Sequence, residues 1–238
     1  MNKKLLFLLP VVMLSITGCE DNKEENDPNN DGEPVFAINV SNENTNLVLS
    51  DKSSFETLEE SHIVDTIPGM NEQTFERIMQ IENLDSEVTN YHYQNENQIY
   101  YFKHTFFLQN SGTASIDYQL KVLFTKNVAS KDGQSLDSTA RVMLFENEIT
   151  SSEHSYTVYA KESESGDKEA IASDQGLAEK FESKDVVTTL NVHNFQPDEM
   201  RRYTYVLWLE GSDPDSNGPV PEGAYLKLGI NINAQLSN

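Results

Sequence analysis

The stretch QIYYFKHTFFLQNSGTASIDYQLKVLF, residues 98–124, decides the fold class of this chain. Its first part, Gln98 to Leu108, is dense in aromatic and β-branched residues, which favour strands. In its last part the apolar residues are Ile116, Tyr118, Leu120, Val122 and Phe124. That two-residue period is typical of a strand with one buried face. Because Gln109 to Thr113 between them has turn composition, we predict two strands paired as a hairpin.

Similar strand signals lie on both sides of this stretch. They are Val35–Val40, Asn46–Ser50, Ala140–Glu146, Tyr156–Ala160, Val186–His193, Tyr203–Leu209 and Ala224–Ala234. Two further segments, Glu72–Glu82 and Glu169–Phe181, can each form a short helix. Strands that do not alternate regularly with helices predict an all-β fold. We therefore expect an antiparallel β-sandwich, jelly-roll-like, over residues 35–238, with one or two short helices.

The N-terminus has the pattern of a bacterial export signal. Lys3 and Lys4 precede the apolar run Leu5–Ile16, which contains Pro10 and is too short to span a bilayer as a helix. The run ends in Leu-Ser-Ile-Thr-Gly-Cys, residues 14–19, which resembles the lipobox of bacterial lipoproteins. The resemblance implies that residues 1–18 are a signal peptide and that the thiol of Cys19 carries a diacylglycerol, with palmitate as an acyl chain. The alternative is a plain secretory signal, which would leave Cys19 as a free thiol.

Composition places further limits on the protein. Cys19 is the only cysteine, so the chain cannot form an internal disulfide. Residues 20–34 contain seven acids, one lysine and no apolar side chain except proline, which predicts that 19–34 is a disordered acidic tether. The formal net charge is −22, and loss of the two lysines of the signal makes it −24. Nucleic acid is therefore excluded as a partner, because binding to phosphates requires clusters of Lys and Arg.

Three segments together resemble a known group of proteins. They are Phe106–Thr113, a strand that runs into Asn-x-Gly-Thr; Phe195–Glu199, a Pro-acidic turn before a strand; and Trp208–Asp215, the string Trp-Leu-Glu-Gly-Ser-Asp-Pro-Asp. This arrangement, over residues 98–238, resembles the exported β-sandwich surface proteins of Gram-positive bacteria, the TasA and camelysin group. The resemblance implies a structural protein of the cell surface or matrix. The lipobox departs from the usual export signal of that group, and a tethered protein cannot diffuse into a growing fibre.

One candidate metal site can be read from the sequence. Asp213, Asp215 and Asn217 fall in Asp-x-Asp-x-Asn-Gly, which is the start of a calcium-binding loop. The twelfth position of such a loop requires a bidentate acid, and here it is Ala224. Calcium is therefore a candidate cofactor, and the alternative is an ordinary turn between two strands.

Motifs for catalysis are missing from the sequence. The five histidines, at positions 62, 92, 104, 154 and 193, show no zinc-protease spacing, and there is no Gly-x-Ser-x-Gly or Gly-rich phosphate loop. We expect His92 and His104 to be half-buried strand residues. No catalytic residue is assigned, and we expect the protein not to be an enzyme.

Aromatic residues form the last candidate site. They are Tyr91, Tyr93, Tyr100, Tyr101, Phe102, Phe106 and Phe107. Exposed tyrosines can bind glycans or peptides by stacking, but a strand that is apolar on both faces is central and covered.

These observations lead to one main prediction and one alternative. The main prediction is a lipoprotein on the extracellular face of the cell membrane, anchored through Cys19, with a structural or interaction role in the envelope or matrix. Its partner would be the membrane and a surface protein or glycan. The alternative is a module that binds glycan or peptide.

Overall fold

The computed structural model describes residues 38–42, 45–50, 75–82, 84–85, 91–95, 98–148, 155–216 and 221–237. For 38–42, 91–95, 98–100 and 147–148 only the backbone is described. These residues all belong to one compact unit, Gly32–Asn238. The predicted signal peptide at 1–18, Cys19 and the tether at 19–34 lie outside the described residues.

The described residues form eleven strands, one short α-helix and one turn of 3₁₀ helix. The elements are β1 (Ile38–Asn42), β2 (Leu47–Ser50), α1 (Phe75–Met79), β3 (Tyr91–Asn95), β4 (Gln98–Asn110), β5 (Ile116–Val128), the 3₁₀ turn (Leu136–Ser138), β6 (Ala140–Glu148), β7 (Tyr156–Ala160), β8 (Glu179–Lys180), β9 (Val186–Phe195), β10 (Met200–Leu209) and β11 (Tyr225–Leu236).

The strands form two sheets that pack face to face, so the predicted all-β sandwich is confirmed. Sheet A has the order β1-β11-β5-β9, and sheet B has the order β2-β4-β10-β6-β7-β8, with β3 also paired to β4. Most neighbours are antiparallel, as expected, but β1 runs parallel to β11 and β8 runs parallel to β7. Six connections between successive described strands cross from one sheet to the other: β1–β2, β4–β5, β5–β6, β8–β9, β9–β10 and β10–β11.

The hairpin predicted for residues 98–124 is wrong, although both of its strands exist. β4 pairs with β10, β2 and β3 in sheet B, whereas β5 pairs with β11 and β9 in sheet A. Residues 111–115 therefore connect the two sheets rather than two neighbouring strands. The reason is that β4 is apolar on both faces. A strand of this kind is buried when it lies at the centre of a sheet and both of its faces are covered, which is its position in sheet B.

The two helix predictions have different outcomes. The segment Glu72–Glu82 does contain α1. The segment Glu169–Phe181 contains no α-helix, and that prediction is wrong. Its backbone folds back on itself through the bonds Ala178 N–Glu169 O and Ile171 N–Gly176 O, both 2.9 Å. The φ angles of Asp174 and Gly176, 63° and 88°, are left-handed and interrupt a right-handed helix.

The main hydrophobic core lies between the sheets. Sheet A contributes the alternating residues of β5 predicted from the sequence, together with Leu226, Leu228, Ile230 and Ile232 of β11. Sheet B contributes residues of three strands, Phe102, Phe106, Leu108, Val142, Leu144, Tyr203, Tyr205, Leu207 and Leu209. These side chains are buried, as the two-residue period requires of an inward-facing row.

A second core covers the opposite face of sheet B. Strand residues Tyr101, Met143, Phe145, Val158, Ala160, Val206 and Trp208 pack there against Phe75, Ile78, Leu84, Ala172 and Ala178. Helix α1 is only five residues long, too short to be stable alone. It is therefore stabilised by the packing of Phe75 and Ile78 on the sheet. As a result, the centre of sheet B is covered on both sides.

Candidate functional site

The three segments that carried the family resemblance lie at the two ends of β10. Phe106–Thr113 and Phe195–Glu199 meet where β10 begins, and Trp208–Asp215 is the region where it ends. The first and third segments hold polar side chains that bond to groups far away in the sequence, and the second bonds through the backbone nitrogen of Asp198 to the oxygen of Asn110. The two ends therefore each contain a cluster of hydrogen-bonded polar groups, and we take them as candidates for a site.

At the first end, the buried side chain of Asn110 joins two of the crossings between the sheets, β4–β5 and β9–β10. Its Nδ2 donates to the carbonyl oxygens of Ala114 and Phe195, both at 2.9 Å, and its Oδ1 accepts from Gly112 N at 3.0 Å. Its backbone oxygen accepts from Asp198 N at 2.8 Å. A Cβ on Gly112 would lie 3.1 Å from Asn110 Oδ1, which explains the glycine of Asn-x-Gly-Thr.

The turn before β10 uses strained backbone to reach Asn110. Asp198 has a φ of 63°, and Asn194 has a φ of 58°, in the left-handed region where Asn and Asp are the residues best tolerated besides glycine. The ring of Pro197 fixes the φ angle of Pro197 itself, one residue before Asp198. The Pro-acidic turn predicted from the sequence is therefore present, and its role here is to bring β9 of sheet A over to β10 of sheet B.

At the second end, Glu210 is fully buried and accepts four hydrogen bonds. Its Oε2 accepts from Trp208 Nε1 and from the backbone nitrogen of Phe75, each at 2.9 Å. Its Oε1 accepts from the backbone nitrogen and hydroxyl of Ser212, at 3.1 and 2.6 Å. Both carboxylate oxygens are thereby satisfied, and the start of α1 is fixed to the end of β10. This is the structural role of the Trp-Leu-Glu-Gly-Ser string.

Asp213, the first residue of the candidate calcium loop, forms a buried ion pair with Arg141 of β6. Arg141 Nη2 lies 2.6 Å from Asp213 Oδ2, and both side chains are almost completely buried. Arg141 Nε also donates to the carbonyl oxygen of Ala170 at 3.1 Å. The second carboxylate oxygen, Oδ1, accepts from the backbone nitrogen of Asp215 at 2.9 Å. The structure therefore gives both oxygens of Asp213 partners within the protein.

The three proposed calcium ligands are only partly brought together. Asp215 is exposed, and Asn217 lies outside the described residues. A calcium ion on Asp213 would compete with the guanidinium of Arg141 for the same carboxylate. Within the described ranges, no group of three or more His, Cys, Asp or Glu side chains is arranged to hold a metal ion. Calcium at this loop stays a prediction, and the ion pair gives the ordinary-turn alternative a defined geometry.

The pKa of the nearby acid Glu169 is raised. Partial burial raises the pKa of its carboxyl group, and the negative charges of Asp213 and Asp215 raise the pKa further. The positive charge of Arg141 acts in the opposite direction. The loop around Asp213 is thus rich in negative charge, with one buried cation at its centre.

The histidines occupy different environments. His104, on β4, is 1% exposed and packs among aromatic rings, and burial lowers the pKa of its imidazole to about 3. It is therefore neutral at physiological pH, and more buried than the sequence predicted. His193 is exposed, with Nδ1 3.2 Å from Asp117 Oδ2. His62 and His154 lie outside the described residues, and only the backbone of His92 is described.

The described aromatic residues of the candidate stacking site are buried. Tyr101, Phe102, Phe106 and Phe107 are all less than 5% exposed. Phe102 and Phe106 project into the main core, Tyr101 projects into the second core, and Phe107 is buried on the same face of β4 as Tyr101. Tyr91, Tyr93 and Tyr100 lie on β3 and β4, and their side chains are not described. Among the described residues, stacking on this row is therefore blocked by the fold.

Sequence reasoning missed the polar residues that become partners only through tertiary contacts. Tyr118 of sheet A and Tyr203 of sheet B share a hydrogen bond of 2.5 Å between their hydroxyl oxygens, across 85 positions of sequence. The buried position of Arg141 could have been predicted, because it shares one face of β6 with the apolar residues Met143 and Phe145. A cation in such a row indicates a buried ion pair.

A polar cluster also joins three strands of sheet A, where β9 and β11 end beside the start of β5. Asp117 accepts hydrogen bonds from the Ser237 hydroxyl at 2.6 Å and from the backbone nitrogen of Asn194 at 2.9 Å. These bonds, together with His193, lower the pKa of the Asp117 carboxyl group to about 2. The carboxylate therefore fixes the end of β11 to β5 and β9.

No family model, curated protein or solved structure matches the chain. Among the described residues, no helix is long and apolar enough to cross a membrane. The assignment of function therefore depends on the sequence signal at Cys19 and on the geometry given above.

Proposed function

We propose that this protein is an extracellular lipoprotein, held to the outer face of the cell membrane through Cys19, with a structural or interaction role in the envelope. The single observation that carries the proposal is the order of Lys3-Lys4, a short apolar run and Leu-Ser-Ile-Thr-Gly-Cys at residues 14–19. A diacylated cysteine provides two acyl chains, enough for stable anchoring. Residues 19–34 are the acidic tether that separates the sandwich from the membrane.

The geometry of the sandwich supports a non-enzymatic role. The polar side chains with the chemistry of a site, Asn110, Arg141, Glu210 and Asp213, have their bonding groups directed at other groups of the fold. They join strands, turns and α1, and so stabilise one rigid arrangement. A rigid domain with an acidic surface is suited to a position outside the cell, where it stays soluble next to the membrane.

The proposal is tested by changing the one residue that would carry the lipid. Cys19→Ala should abolish incorporation of labelled palmitate and release the protein from the membrane fraction. Asn22→Ala, in the acidic tether, is the matched control and should leave both unchanged. Palmitate labelling of the Cys19→Ala protein, or unchanged membrane fractionation, would refute the anchor.

The alternative function is a module that binds glycan or peptide. The structure argues against binding by aromatic stacking, but a polar face of sheet A supports binding of another kind. Stacking on Tyr101, Phe102, Phe106 and Phe107 is unavailable, because these rings are buried. The exposed side of sheet A, however, carries a set of polar side chains whose chemistry favours a specific kind of ligand.

A further inference from the structure

The outer face of sheet A presents a surface of side-chain amides on three neighbouring strands. We call it the amide face; its members are Gln119 of β5, Asn191 of β9, and Asn231, Asn233 and Gln235 of β11. Gln119 is the register partner of both Asn191 and Asn233, and Asn231 is the partner of Lys121. Register partners in adjacent strands share a face, so Gln119 lies beside Asn191 and Asn233. Asn231 and Gln235 are two residues from Asn233 along β11 and therefore lie on the same face.

The amide face points away from the core, because the alternate residues of the same strands point into it. Leu120, Val122, Ile230 and Ile232 are fully buried in the core, and the residues between them must point away from it. Asn191, Asn233 and Gln235 are exposed, and Gln119 and Asn231 are half-buried. Gln119 Nε2 donates to Asn191 Oδ1 at 3.0 Å, which links two of the amides directly.

The amide face is poor in charge, although the chain contains 39 acids and has a net charge of −22. Lys121 lies within it. At one border Asp117 is bonded to Ser237 and His193, and at another Glu182 accepts two hydrogen bonds from Thr189. The two acids at the borders therefore already bind donors of the protein. The surface thus carries few charges and many hydrogen-bonding groups, on a domain that is strongly acidic as a whole.

This chemistry selects one class of ligand. Amide side chains carry both donors and an acceptor, and they match hydroxyl and acetamido groups, since these also donate and accept. An anionic polymer would be repelled by the net charge of the domain. An extended peptide pairs with the edge of a sheet rather than with its face.

We infer that the amide face binds an uncharged, N-acetylated glycan. The inference rests on the proposed exterior location, since glycan strands are polymers that a tethered surface domain meets. Because the amides project from paired strands, their spacing is fixed before binding and little side-chain order is lost.

The experiment uses the full-length protein in detergent and chitohexaose as the probe, measured by isothermal titration calorimetry. Saturable binding is expected. The double variant Gln119→Glu/Asn233→Asp keeps the shape of two amides but replaces their donors with charge, and should weaken binding about tenfold or more. Gln175→Glu, an exposed amide in the loop before β8, makes the same change away from the face and should bind as the native protein does.

The outcomes separate this inference from its rivals. Absence of saturable binding by the native protein, or equal binding by the double variant at an unchanged melting temperature, would overturn it. Sedimentation that shows a native dimer and a monomeric double variant, without glycan binding, would instead assign the face to a second copy of the chain. Binding of chitohexaose by a protein that does not incorporate palmitate would refute the anchor and leave the glycan site standing.

Discussion

The hydroxyl groups of Tyr118 and Tyr203 meet in the core with their oxygens 2.5 Å apart, one from each sheet of the sandwich. The ring of Tyr118 also packs edge-on against Phe195, and the ring of Tyr203 stacks on Phe106. Burial raises the pKa of both tyrosines, so both hydroxyls are protonated. This pair provides a directional contact in a core that is otherwise held by burial of apolar surface, which has no direction.

Replacing one partner of that pair should destabilise the protein. Tyr118→Phe or Tyr203→Phe leaves one buried hydroxyl without its partner, and each should lower the free energy of unfolding by about 1–3 kcal/mol. The double variant should lose less than the sum of the two, because the second substitution removes a hydroxyl that is already without its partner. Urea denaturation measures these values, with Tyr156→Phe, at an exposed tyrosine, as the control. Additive losses would contradict a direct bond.

His104 should make the protein sensitive to acid. Its folded pKa is about 3 and its unfolded pKa is about 6.5, so between these values the unfolded chain holds a proton that the folded chain lacks. The stability contributed by the neutral imidazole is therefore present above pH 6.5 and is lost as pH falls, by about 1.4 kcal/mol per pH unit within that window.

The variant His104→Phe isolates this effect. It keeps a ring between Phe102 and Phe106 and removes the titrating group, so its free energy of unfolding should depend less steeply on pH between about 6 and 4. Tyr205→Phe changes a neighbouring ring but keeps the imidazole, and should retain the native slope. Parallel curves for the native protein and His104→Phe would show that the imidazole is not the source.

Glu210 should be more important for stability than an ordinary surface acid. In Glu210→Gln one carboxylate oxygen is replaced by an NH₂ group, which cannot accept from the donors it now faces. We expect a loss of about 2–4 kcal/mol, since hydrogen bonds to charged groups are the strong ones.

Trp208, the only tryptophan, reports this change directly, because its indole nitrogen donates to Glu210. Its fluorescence should shift to longer wavelength and become more accessible to acrylamide in Glu210→Gln. The matched control is Glu222→Gln, whose side chain is 94% exposed. Identical emission spectra for native protein and Glu210→Gln would argue against this account of the carboxylate.

The buried ion pair predicts an asymmetry between single and double substitutions. Arg141→Met leaves the Asp213 carboxylate buried without its cation and should cost about 3–5 kcal/mol, whereas Arg141→Met/Asp213→Leu should cost less. Lys131→Met, at an exposed cation, is the control. A double variant less stable than Arg141→Met would contradict the pairing.

The calcium prediction is settled in the same series of proteins. If Arg141 is the partner of Asp213, calcium should not raise the melting temperature of the native protein beyond the effect of salt. A saturable increase in melting temperature that disappears in Asp213→Asn would establish the loop as a calcium site. It would also show that Arg141 is not the only cation that Asp213 binds.

Sequence patterns predicted secondary structure well and pairing poorly. The alternation in β5 and β11 identified their buried faces correctly, because a two-residue period depends only on which side of a strand is covered. The apparent hairpin at 98–124 failed, since local turn residues serve equally to join strands of two different sheets. The apolar pattern of Glu169–Phe181 failed as a helix because the left-handed backbone at Asp174 and Gly176 closes a loop instead.

For the candidate sites as well, local residue types were informative and long-range contacts could not be predicted. The segments around Asn110, Pro197 and Trp208 could be singled out by their residue types, but their bonding partners could not be predicted from spacing. Arg141 lies 72 positions from Asp213, and Phe75 lies 135 positions from Glu210. The sequence alone determined the all-β class and the alternating strand faces, and it predicts an export signal over residues 1–18, since these depend on local order and composition. Only the tertiary structure decided which strands pair, which polar groups are buried together and which amides share an open face, because these depend on contacts between distant segments.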